Sequence, residues 1–170
     1  MSSGFVHLHT HSSYSPMWGI PTLEALCQAA RTQGQDRLAL TDTNGLYGAI
    51  RFLEVAKHEG LKPILGAELV HKAHRAVLLA KTPAGYANLC RLLSARHEES
   101  TFDFIAAVAR YRAGLIILSD DLSALRTWRK DSPKDVYVEL TPGSDIQEAI
   151  TFSRRNGLSP VATTRAACLH

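Results

Sequence analysis

Short apolar runs alternate along this chain with longer amphipathic segments. The runs are FVHLH (5–9), RLALTD (37–42), KPILGAEL (62–69), RAVLLAK (75–81), LIILSD (115–120), VYVEL (136–140) and SPVATT (159–164). Several are apolar at nearly every position, which is the pattern of strands covered on both faces. The segments between them keep helical spacing and helical punctuation. In PTLEALCQAARTQG, Leu23, Leu26, Cys27 and Ala30 form one apolar face, and Gly34 suits the residue past the last turn. LYGAIRFLEVAKHEG stops in the same way at Gly60. Thr82 and Pro83 suit the cap and first position of KTPAGYANLCRLL. Ser144 and Gln147 stand at capping-box spacing before a helix that closes at Gly157. TFDFIAAVARYRAG and DLSALRTW complete the set of helices.

Seven strands separated by helices predict parallel βα units, arranged as an open doubly wound sheet or a closed barrel. No glycine-rich phosphate loop of the GxGxxG or GxxxxGK[ST] kind follows any strand, which argues against the common nucleotide folds. The 170 residues suffice for a single domain. Cys27, Cys90 and Cys168 are scattered and odd in number, so they imply neither a disulfide framework nor a CxxC metal site. The expected address is cytoplasmic, with no secretory leader and no membrane partner. A net charge of +3, with Arg154, Arg155 and Arg165 near the end, is too small to indicate a nucleic-acid surface by itself.

The candidate chemistry lies in FVHLHTHSSYS. On a strand, His7, His9 and His11 would share one face while Val6 and Leu8 take the other. Alternating imidazoles suit zinc, manganese or iron, and the carboxylates to complete such a site should lie at other strand ends. Asp42, Glu68, Asp120 and Asp121 occupy such ends, and Glu139 lies near another. Each also has an ordinary reading as a helix cap or loop residue.

Taken together, FVHLHTHSSYS, LALTDTNGLYGAIRF, GLKPILGAELV, AVLLAKTPAGYANLCRLLS, GLIILS and VYVEL…GLSPVATT resemble PHP domains. The resemblance is specifically to the N-terminal PHP domain of bacterial C-family DNA polymerases, the DNA polymerase III alpha subunit and its error-prone relatives. It implies a distorted TIM-like (β/α)7 barrel of parallel strands, over residues 1–170, as the N-terminal piece of a longer polymerase. It also implies metal-supported phosphoester hydrolysis in active members, a polymerase catalytic domain in cis, a proofreading exonuclease subunit as partner, and DNA reached through the parent polymerase. His9 and His11 match the family's HxH ligands, Glu68 its glutamate ligand and Asp42 the aspartate of its TDH motif; His7 and Asp121 are further candidates. Four positions depart from the pattern: Trp18, Thr43, Arg165 and Ala167 stand where the resemblance places ligands. An arginine there sets a permanent positive charge against a bound cation. The expectation is therefore a degenerate site, holding one divalent ion (zinc or manganese) or none, in a mainly structural module. An active phosphoesterase, acting on a DNA 3′ end or a small phosphate ester, is the alternative.

Overall fold

The computed structural model describes residues 5–16, 19–98 and 101–165. Trp18 and Ala167 lie outside the described residues. The elements run α1 (Leu23–Thr32), β1 (Arg37–Leu40), α2 (Ala49–His58), β2 (Lys62–His71), β3 (His74–Ala80), α3 (Pro83–Glu98), α4 (Phe104–Tyr111), β4 (Leu115–Ser119), α5 (Leu122–Asp131), β5 (Val136–Leu140), α6 (Ile146–Asn156) and β6 (Ser159–Ala162). Helix starts follow local chemistry. Thr22, Asp103, Asp121 and Asp145 each accept a hydrogen bond from a first-turn amide. Thr82 does the same for the amide of Gly85. The expected capping box at Ser144 is replaced: Ser144 Oγ donates to the Thr141 carbonyl, and its neighbour Asp145 caps α6.

The described strands form one curled mixed sheet in the order β1-β2-β3-β4-β5-β6. Two features correct the expectation of seven parallel strands. First, β3 is antiparallel to both β2 and β4, while the other three pairings are parallel. Only Lys72 and Ala73 separate β2 from β3, and a parallel crossover needs a dozen or more residues, so the chain must turn back as a hairpin. Lys72 makes that turn with a positive φ of 54°, without the Asn-Gly signature that marks such turns in a sequence. Second, FVHLH is not a regular strand. It lies along β1 and holds it through two backbone bonds, Ala39 N–H to the His7 carbonyl and Thr41 N–H to the Thr10 carbonyl.

Alternation sorts the side chains. Ala67, Leu69, Ala76, Leu78, Ile117, Val136 and Val138 point to one face, where they pack with Leu89, Leu92, Phe104, Leu125, Trp128 and Phe152 of α3 to α6. Leu38 and Leu40 join α1 and α2 in a second cluster. Ala39, Val77, Leu79 and Leu118 point the other way, into a smaller cluster with Leu8, Ile64, Ile116 and Tyr137 that contains no helix residue. That helix-free, concave face carries the polar site at its rim. Because β3 runs backwards, its first residues, His74 and Arg75, lie beside the end of β4, where Ser119 Oγ donates to the Arg75 carbonyl.

Candidate metal centre

His9 and His11 reach the rim from the loop-like N-terminal segment, their rings 5.0 Å apart. Glu68 comes from the middle of β2 and shares the inward parity of Ile64 and Gly66. His9 Nε2 lies 3.3 Å from Glu68 Oε1 and His11 Nε2 lies 3.6 Å from Glu68 Oε2. All three side chains are buried, and their ligand atoms lie within 4.8 Å of one another. Among the described residues neither Nε2 atom has a hydrogen-bond partner.

The other ring nitrogens fix the orientation. His9 Nδ1 lies 2.7 Å from Glu139 Oε1, which also accepts the Thr163 hydroxyl at 2.6 Å. A histidine whose outer nitrogen donates to a buried carboxylate is the arrangement that supports metal-binding imidazoles. His11 Nδ1 lies 3.2 Å from Ser15 Oγ. The Ser15 hydroxyl is already donated to Asp42 Oδ1 at 2.6 Å, so its oxygen accepts from His11 and the neutral ring presents a bare Nε2 to Glu68.

Burial opposes a charged His9, but Glu139 and Glu68 on either side outweigh it, and its pKa is raised above 6.5. His11 is shifted down, mainly by burial, and further by the charges of His9 and Arg165. Burial alone would raise Glu68; His9, His11 and Arg165 overcome it and hold the carboxyl at about 2. The same balance, led by burial and reversed by His9, lowers Glu139.

The remaining candidates are placed elsewhere. Asp42 is buried, but its oxygens are taken by Ser12 N–H at 2.7 Å, Ser12 Oγ at 2.8 Å and Ser15 Oγ. It ties the histidine loop to the end of β1 and does not face Glu68. At Gly48, a Cβ would stand 2.8 Å from the Tyr14 ring, so a glycine lets that loop close over the start of α2. His7 turns away to Thr164 Oγ1 at 2.9 Å, with Gln33 Oε1 at 3.4 Å, because its segment lacks strict strand alternation. Asp121 caps α5 and accepts from His74 Nδ1 at 2.6 Å, on the helix-covered side where His74 stacks on Phe104. The inward partners of that pair are Arg75 and Asp120, which form an ion pair.

Two of the departing positions act on Glu68 directly. Thr43 Oγ1 donates to Glu68 Oε2 at 3.0 Å. Arg165 Nη2 lies 3.4 Å from Glu68 Oε1, and Arg75 Nε lies 3.9 Å from the same oxygen. Thr163 and Thr164 stand in sequence at the end of the apolar run SPVATT, and only the folded chain brings them to Glu139 and His7.

The model for the PHP domain family matches residues 7–142. This chain belongs to the PHP family. Among curated relatives it is 47% identical over 94 residues to an error-prone DNA polymerase of Symbiobacterium thermophilum, a match covering 55% of this chain and 9% of that one. It is 35% identical over 140 residues to the DNA polymerase III alpha subunit of Treponema pallidum, covering 70% of this chain and 12% of that one. The chain thus spans about a tenth of the length of these polymerases. The fold is shared with a two-domain protein of Bacteroides vulgatus containing a predicted PHP-like metal-dependent phosphoesterase, at a TM-score of 0.66 and 14% identity, over 95% of this chain and 51% of that one. An amidohydrolase of Chromobacterium violaceum shares it at a TM-score of 0.58 and 15% identity, over 93% and 87%. Among the described residues no helix is long and apolar enough to cross a membrane.

Proposed function

We propose that this chain is the PHP domain of a bacterial C-family DNA polymerase and serves there mainly as a structural module, with nucleotide addition carried out by a catalytic domain in cis. The observation that carries this reading is the guanidinium of Arg165 at 3.4 Å from Glu68 Oε1, on the atom that His9 also faces. A fixed positive charge beside the central carboxylate repels a divalent ion there and already neutralises the charge that would attract it. On this reading the histidine segment, held to β1 by backbone bonds and to Thr164 and Glu139 by side chains, stands in the gap as the seventh stave of a distorted barrel. DNA and a proofreading exonuclease subunit are partners of the assembled polymerase rather than of this site.

A mononuclear centre is the second reading, favoured by the two buried imidazole Nε2 atoms that lack hydrogen-bond partners. His9, His11 and Glu68 would hold one zinc or manganese ion. Such an ion supplies activated water and charge neutralisation for phosphoester hydrolysis. Glu139 and Ser15 would keep the two rings in the tautomers that binding needs. Metal analysis of untagged protein, followed by Mn²⁺-supplemented hydrolysis of nitrophenyl phosphate and single-stranded DNA, separates the readings. The structural reading expects little metal and no turnover; turnover abolished by His9→Ala would replace it with the enzyme.

A further inference from the structure

The donor atoms around Glu68 divide into two sets. His9 and His11 direct buried nitrogen atoms at its two oxygens without hydrogen bonds. Arg75 and Arg165 bring cationic groups to Oε1. The two arginines differ. Arg75 is the farther, at 3.9 Å by Nε, and is already paired with Asp120. Arg165 is nearer, and its backbone adopts the left-handed region with φ of 47°, a conformation uncommon for a residue with a side chain. Strained backbone of this kind persists where the surroundings over-determine it, and at functional sites it marks a geometry being held. The Arg165 side chain is 32% exposed while Glu68 is 2% exposed, so the guanidinium is the solvent-facing partner of the pair.

We propose that Arg165 is a resident counter-cation, occupying at Glu68 the place a divalent ion would take, so that loss of its charge uncovers a binding site for one divalent cation on His9, His11 and Glu68. This deepens the structural reading above, since it names the residue that keeps metal out. The ligands themselves are present: the two rings are oriented by Glu139 and Ser15. Arg75 is held aside by Asp120 and does not need to move.

The test is calorimetric titration of the untagged, chelator-stripped protein with Mn²⁺ and with Zn²⁺, comparing wild type, Arg165→Ala and the double variant Arg165→Ala/His11→Ala. The expected result is one ion per chain in Arg165→Ala, bound at least about tenfold more tightly than by wild type, with the gain lost in the double variant. Thermal unfolding should show a matching ion-dependent rise for Arg165→Ala alone. Arg165→Gln, which keeps the bulk without the charge, should show the same gain and decides the matter if the alanine variant folds poorly. Equal affinity in wild type and both Arg165 variants would overturn the proposal, as would a gain that survives His11→Ala. If none of them binds, the structural reading stands and only this proposal falls. If wild type binds one ion tightly and the Arg165 variants match it, both fall.

Discussion

The two walls of the rim do opposite things with the same kind of group. On the N-terminal wall, Asp42 is consumed by Ser12 and Ser15, and the histidines that loop carries are left with nitrogen atoms facing inward. On the opposite wall, formed by the start of β3 and the ends of β4 and β6, the inward groups are Arg75, Asp120 and Arg165. One wall is built as a metal site would be, with carboxylates and hydroxyls supporting ring orientation. The other supplies its own cations. Glu68, between them, faces both. Part of a family's ligand pattern, here His9, His11 and Glu68, can thus persist beside cationic groups that face the same carboxylate.

The sharpest way to break this contrast is Asp42→Ala. It strands the Ser12 amide and two buried hydroxyls, and should destabilise the fold by about 3 kcal/mol, read from the urea midpoint. A loss below about 1 kcal/mol would show that Asp42 is not the tie between the histidine loop and β1. Next comes acid. Glu68 is held at about 2, well below 4.5, so its contribution is present above the unfolded value and is lost as pH falls from about 4.5 towards 2. In chelator-containing buffer, Glu68→Gln should flatten the stability profile across that window relative to wild type; parallel profiles would mean that its neighbours do not stabilise the carboxylate. A smaller effect is expected on the second wall. Arg75→Ala removes a partly exposed ion pair with Asp120 and should cost about 1 kcal/mol in thermal or urea unfolding, while a loss as large as that of Asp42→Ala would erase the distinction between the walls.

Much of this arrangement is legible in the sequence, for reasons that also explain the misses. Continuous apolar runs located β1 to β5 because each is buried against helices on one side and the inner cluster on the other, whereas β6 is largely exposed. The hairpin between β2 and β3 escaped notice because Lys72 and Ala73 carry no turn signature, although five residues between two predicted strands already exclude a parallel crossover. Alternation failed at FVHLH because the segment is not held in a regular strand ladder, and His7 departs to Thr164 while His9 and His11 stay together. Composition alone could not say whether Asp42 or Asp121 caps, ties or ligates; the serines at 12, 15 and 123 decide it, and their contacts depend on the folded chain. Conversely, the oddity of Arg165 was visible in the sequence, whereas its approach to Glu68 depends on a left-handed backbone that no local pattern announces.

The most direct measurement is the metal content of the untagged wild-type protein after dialysis against Mn²⁺ and Zn²⁺, determined by elemental analysis. A site already neutralised by Arg165 predicts well below one ion per chain. One tightly held ion per chain, lost on His9→Ala, would contradict it.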